Sequence, residues 1–360
     1  FGRRYRFLKG SGLPIRIPVI EMVEIGAGGG SISRVDDMQR VQVGPDSAGS
    51  EPGPACYGRG GTHATVTDAD CTMGYLDTAR FAGGRVQLDA SRASTAVATD
   101  VGRPLKLDAV LGALAVNEIV TENMASAARV HAMELGKTVE DYTLIAFGGA
   151  APLHAARLAA KLGIRRVIIP QGASVGSALG FLTAPVAFHA VRSWYTRVNG
   201  MNITRANGLL DEMEQHAISL VRAGAPKAKL KLTRSAFMRY QGQGHEIEVQ
   251  LPPGRLSTRS VQRLQAGFTR DYTALYGRAI PHLGVEIMSW SLTVATQMPP
   301  VKRAAAAARR KAPRATRRRR VFEATRATWR NTPVYERQAL AAGAGIKGPA
   351  LIAEIGRAHV

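Results

Sequence analysis

The sequence predicts an α/β layer fold followed by a smaller α+β region. Helix-period and strand-like segments alternate with short connections between Asp108 and Ala184, the order that builds a layered α/β sheet. Two strand-like segments end in glycine runs, GAGGGS (Gly26–Ser31) and GGAAP (Gly148–Pro152), and open α/β sheets bind ligands at strand ends. After about Trp194 the order changes to helix, two alternating strands, helix and strand.

Taken in order, the β-branched segment Ile17–Ile25 reads as a strand bounded by Pro and Gly. ISRVD and Arg40–Val43 follow, poised to pair as a hairpin through Asp36–Gln39. Half of Gly44–Gly61, nine of eighteen residues, is Gly or Pro; its well-patterned flanks predict an ordered loop. Asp108–Gly136 is helical, with Val110, Leu114, Ile119, Met124, Ala128, Val130 and Met133 on its expected core side and Gly136 as the stop. Tyr142–Phe147 is a buried-type strand, Leu153–Leu162 a helix, Val167–Pro170 a strand and Ser174–Ala184 a helix. In the second region, Thr204–Ala223 and Ser260–Leu275 read as helices, and Leu230–Tyr240, His245–Leu251 and Val285–Ala295 as strands. The expected domains are 1–193, 194–300, a basic linker 301–320 and a closing module 321–353.

Of the 360 residues, 45% are hydrophobic, enough for a buried core. The formal net charge is +21, but Val301–Arg330 alone holds twelve Lys and Arg against one Glu. That excess sits in Ala/Arg/Pro-rich sequence without interleaved aromatics, which argues for a solvated linker and against a nucleic-acid face. Two cysteines, Cys56 and Cys71, make no disulfide framework and no zinc spacing, so a reducing cytoplasm is the expected setting. FGRRYRFLKG has no apolar core of a signal peptide. The uncharged stretch Val167–Val191 is broken by Pro170, Gly172, Gly176, Gly180 and Pro185, which excludes a membrane span.

Consecutive glycines after a strand let backbone N–H groups converge on an anion. Gly28, Gly29, Gly30 and Ser31 are therefore candidates for phosphate, with a tight ligand-free connection as the equal alternative. Gly148, Gly149, Ala150 and Pro152 combine close backbone approach with a helix start, suited to a nucleotide or to plain helix entry. In Thr65–Asp70, Asp68 could hold a metal ion or orient a water, or cap a turn. Cys56 with His63 could form a nucleophile pair, or be a buried thiol and a surface His. His154 suits a phosphate contact or packing, and His131 a helix C-terminal charge. Gln241, Gln243 and His245 could face substrate or solvent.

Together, IGAGGGSISRVD (Ile25–Asp36), VGPDSAGSEPGPACYGRGG (Val43–Gly61), TVTDADCTMGYLD (Thr65–Asp77), YTLIAFGGAAPLHA (Tyr142–Ala155) and GASVGSALGFLTAP (Gly172–Pro185) resemble the hydantoinase A/5-oxoprolinase family. RYQGQGHEIEV, LYGRAIP and TPVYERQAL…GPALIAE are weaker echoes. The resemblance covers about Gly12 to Glu354. It implies an actin, sugar-kinase and chaperone-ATPase-like (ribonuclease H-like) domain, with Gly28–Ser31 as one phosphate loop and Gly148–Pro152 as the adenosine loop. It also implies ATP, with Mg2+, and opening of a lactam or hydantoin ring after phosphorylation of the amide oxygen. A B-type partner subunit and a homo- or hetero-oligomer are expected. Acetone- and acetophenone-type carboxylases share the motifs, which leaves a carboxylase subunit as the alternative and a non-catalytic fragment as the third.

Ala151 stands where the family usually has Gly, Asp70 where Asn is usual, and His63-Ala64 where a Pro is common. The family's N-terminal Gly/Thr/Asp phosphate loop has no counterpart in Phe1–Ile20, so part of the ATP site is expected elsewhere. The ending EIGRAHV matches one reading frame of a common sequencing adapter, and Glu354–Val360 are expected to be a read-through without function.

Overall fold

In a computed structural model, residues 22–299 and 307–354 are described, together with the backbone of 357–359. Strands β1 (Ser31–Val35) and β2 (Val41–Ser47) form the expected antiparallel hairpin. Asp36 makes its turn: the carboxylate accepts from the Met38 and Arg40 N–H groups and from the side chains of Arg40 and Gln42. Those donors hold the Asp36 carboxyl below the usual range. Of the expected strand Ile17–Ile25, residues 17–21 lie outside the described part and 22–25 are not a strand. The Gly/Pro segment is ordered: β2 runs through its first four residues, and Ala55–Tyr57 form a short 3-10 turn.

Helices α1 (Val66–Thr72), α2 (Ala90–Val97), the one-turn α3 (Arg103–Leu105) and α4 (Ala109–Glu134) follow. Asp108 caps α4 through the Leu111 N–H. The fully buried face of α4 is Gly112, Ala113, Val116, Asn117, Val120, Thr121 and Ala125; of the expected core side, Val110, Leu114, Met124 and Ala128 pack half-buried against the core clusters. Val130 and Met133 are exposed. Close approach of α4 to α1 favours small residues at the contact, which displaces the larger ones to its flanks.

Strands β3 (Leu144–Ile145) and β4 (Val167–Ile168) pair in parallel, with α5 (Ala151–Lys161) between them. Both strands are shorter than expected. Helix α6 (Gly176–Thr183) follows.

The described residues divide into two compact units. The first comprises the residues up to Ala178 and those after Arg303; the second is Leu179–Arg303. In the second, β5 (Ala187–Arg197), β6 (Leu230–Tyr240), β7 (Ile247–Gln250) and β8 (Val285–Thr296) form an antiparallel sheet ordered β5-β8-β6-β7. Helices α7 (Ile203–Gly224) and α8 (Thr258–Tyr276) pack on it around Trp290, Phe268, Leu210, Leu264 and Met238. Strand β5 runs through position 193, so that expected boundary falls inside an element paired to β8.

The first unit also contains β9 (Arg310–Lys311), β10 (Arg317–Glu323), β11 (Thr328–Glu336), β12 (Ala344–Gly345) and β13 (Leu351–Glu354). Val321, Phe322, Val334 and Leu351 are buried in the same core as Val66 and Met73. Residues 317–320, placed in a linker by composition, therefore belong to a strand. Their inward members are partnered: Arg317 pairs with Asp77 and Glu336, and Arg319 donates to the carbonyls of Gly74 and Leu76. Glu354 accepts from the Gly172 N–H; residues 355, 356 and 360 of the suspected read-through lie outside the described part.

Candidate functional site

The first glycine loop ends at β1. Ser31 donates its N–H to the Gly28 carbonyl at 3.0 Å, and its buried hydroxyl accepts the Gly28 N–H at 2.9 Å. Two of the four N–H groups of Gly28–Ser31 are thus used inside the turn. Among the described residues, those of Gly29 and Gly30 have no such partner. The Gly29 carbonyl accepts from both the N–H and the hydroxyl of Thr67, each at 2.8 Å. A Cβ on Gly29 would lie 2.7 Å from the Thr67 hydroxyl and one on Gly30 2.9 Å from that of Ser47, whereas one on Gly28 meets nothing within 4 Å.

Thr67 is the second residue of α1, whose N-terminus is a capping box of Thr65 and Asp68. Asp68 is fully buried. One carboxylate oxygen accepts from the Cys56 N–H, the other from the Ala55 and Thr65 N–H groups and the Thr65 hydroxyl, at 2.7–3.1 Å. Four donors saturate the group and staple the Gly/Pro segment to α1. This corrects the expectation that Asp68 binds a metal or orients a water; capping is its geometry. Among the described residues no three His, Cys, Asp or Glu side chains gather to hold a metal ion.

Two residues further along α1, Asp70 is 1% exposed and meets Asn117 of α4 and His154 of α5, which are 3% and 4% exposed. The Asn117 amide donates to Asp70 at 3.0 Å, His154 Nε2 lies 3.4 Å from the other carboxylate oxygen, and Asn117 lies 3.4 Å from His154 Nδ1. Burial works against a charged His154, but the Asp70 carboxylate outweighs it, and His154 titrates above the usual histidine range. His154 is therefore a packed partner of Asp70. Neither Asn117 nor the Asp70–His154 pairing had a sequence signal, because the three residues are far apart in the chain and have no spacing motif.

His154 lies in the first turns of α5, the helix that carries the second glycine loop. Gly148 has φ +100, reserved in practice for glycine, and donates its N–H to the Ala173 carbonyl. Ala150 is the N-cap, no side chain caps the helix, and buried Pro152 occupies its first turn. Within that turn Pro152 has no N–H, and the Leu153 N–H is taken by the Ala150 carbonyl.

Other candidates disperse. Cys56 is buried, and the neighbouring Cys71 thiol, burial and the Asp68 carboxylate all push its thiol far up. His63 is largely exposed and lies 3.3 Å from Asp100, so the two form no nucleophile pair. His131 sits in the last turn of α4. Gln243 donates to the Tyr272 hydroxyl, while Gln241 and His245 are exposed. No helix among the described residues is long and apolar enough to cross a membrane.

Two family models match the chain, Hydantoinase/oxoprolinase over residues 4–190 and Hydantoinase/oxoprolinase C-terminal domain over 199–356. Caprolactamase subunit alpha of Pseudomonas jessenii is 32% identical over 346 residues, 94% of this chain and 50% of that protein. The crystal structure of the ATP-dependent caprolactamase from the same organism aligns with TM-score 0.73 and 31% identity, over 93% of this chain and 49% of that one. Acetophenone carboxylase gamma subunit of Aromatoleum aromaticum is 29% identical, over 94% of this chain and 48% of that protein. The chain spans about half the length of these relatives. Its α/β fold with a following α+β unit is the fold of these ATPase-like proteins, and it belongs to the hydantoinase/oxoprolinase family.

Proposed function

We propose that this chain is part of a subunit that hydrolyses a cyclic amide, a lactam or hydantoin, at the expense of ATP. The observation that carries this is that one short helix ties the first glycine loop to the helix that follows the second: Gly29 is held by Thr67, and α5 by Asp70 through His154. In this reading Gly28, Gly29, Gly30 and Ser31 take phosphate through the backbone. Gly148, Gly149, Ala150 and Pro152 take the nucleoside, where a missing Cβ allows close approach. Phosphoryl transfer to an amide oxygen turns a poor electrophile into one that water attacks, and it depends on positioning and backbone donors. Asp68 has no part in it, and no step is assigned to a protein-held metal.

The relatives are named as subunits, which supports a second, B-type subunit as partner. A ketone carboxylase is the alternative, favoured by the acetophenone carboxylase relative. Phosphate release by the subunit complex separates the two: stimulation by caprolactam, 5-oxoproline or hydantoin supports the hydrolase, and dependence on bicarbonate with a ketone supports the carboxylase. Nucleotide binding is tested directly by titrating ATP into wild type and Gly149→Val. Loss of binding in the variant is expected; unchanged affinity removes the nucleoside assignment.

A further inference from the structure

Helix α1 touches the first glycine loop and, through His154, the helix that follows the second, and it does so through residues three apart, which lie on one side of a helix. Thr67 clasps the Gly29 carbonyl with two hydrogen bonds, and Asp70 holds Asn117 and His154. All four side chains are at least nine-tenths buried, so their rotamers are fixed by packing. Asp70 is a buried carboxylate whose side-chain partners come from α4 and α5. Moving α5 away would strip it of the His154 contact, and a buried charge resists losing its partners. Thr67 likewise cannot leave Gly29 without abandoning a carbonyl that accepts two bonds.

We propose that α1 is a strut that fixes the distance between the two glycine loops, with Thr67, Asp70 and His154 as positioning residues, so that one nucleotide engages both loops at once. The proposal rests on the nucleotide reading above and adds a specific consequence. A ligand that spans two sites gains over its separate halves only while the sites are held at the right separation. Loosening the strut should therefore weaken ATP while leaving its parts alone.

The test uses the 360-residue chain with Asp70→Ala, Asp70→Asn and His154→Gln. Hydrogen exchange without ligand follows the amides of 148–154, and calorimetry compares ATP with adenosine and pyrophosphate. In Asp70→Ala, exchange at 148–154 should quicken while α7 and α8 are unchanged. ATP affinity should fall by about tenfold or more, with adenosine and pyrophosphate binding as before. Asp70→Asn keeps an acceptor for His154 and should restore both readouts. If Asp70→Ala does not fold, His154→Gln makes the same comparison.

Unaltered exchange at 148–154 overturns the strut, as does a parallel loss of ATP, adenosine and pyrophosphate binding. If the wild-type chain alone binds no ATP, exchange at 148–154 alone decides the strut: quickening in Asp70→Ala supports it, and no change overturns it.

Discussion

The Gly29 carbonyl is held twice by Thr67, once by its N–H and once by its hydroxyl, both at 2.8 Å. The contact joins the loop before β1 to the first turn of α1 and leaves no room for a side chain at Gly29. Two residues that composition would treat alike, Gly28 and Gly29, therefore have different reasons to be glycine.

Gly29→Ala would force its Cβ against the Thr67 hydroxyl, and relief requires breaking one of the two bonds. The expected cost is about 1–3 kcal/mol, read as a lower urea midpoint. Gly28→Ala meets open space and should change stability by less than about 0.5 kcal/mol. If the loop binds phosphate through its backbone, Gly28→Ala should nevertheless weaken ATP. Equal stability losses in the two variants would contradict the clasp, and full ATP affinity in Gly28→Ala would contradict the phosphate loop.

Asp68→Asn replaces a carboxylate oxygen facing several donors with another donor. A buried N–H is left without an acceptor, and the staple from α1 to Ala55 and Cys56 opens. We expect a loss of about 2–4 kcal/mol in chemical unfolding, of the same size with and without Mg2+. A loss that appears only when Mg2+ is present would return Asp68 to metal binding.

Local patterns carried the hairpin, the helices and the second unit's strands because each element announces itself within its own window. The glycine runs were legible as turns for the same reason. What the chain does not spell out locally is which buried face wins. Bulky periodicity pointed to Val130 and Met133, but α4 packs by its small residues, since close helix approach rewards absence of side chain. The arginines of 317–320 read as solvated charge because their acidic and carbonyl partners, Asp77, Glu336, Gly74 and Leu76, lie elsewhere in sequence. Asp68 was visible as a candidate, yet its four donors come from tertiary proximity, which separates a cap from a metal ligand.

Cys56 and Cys71 are free and buried. The thiolate is the reactive form, and Cys56 is held strongly protonated by the Cys71 thiol, by burial and by Asp68. Ellman's reagent should find no reactive thiol in the native chain at pH 8 and both cysteines in denaturant. Rapid modification of Cys56 in the folded protein would reopen a nucleophilic role.

Glu118 binds Arg157 with both carboxylate oxygens, at 2.7 and 2.9 Å, and also meets Lys161 at 3.0 Å, joining α4 to the middle and C-terminal end of α5. The Arg157 hydrogen bonds, helped by Lys161, pull the Glu118 carboxyl below its ordinary 4.5 despite an opposing desolvation cost. A carboxyl with a folded-state value below its unfolded one binds fewer protons when folded, so its stabilisation is complete above the unfolded value. It fades as pH drops below 4.5 and is lost once pH passes the lower folded value. Because the pair is partly solvated, Glu118→Gln should cost only about 1 kcal/mol at pH 7. The gap between wild type and Glu118→Gln should narrow from pH 5 downward and close in stronger acid. A gap that stays constant across that range would mean that the Glu118 charge contributes nothing to holding α5 on α4.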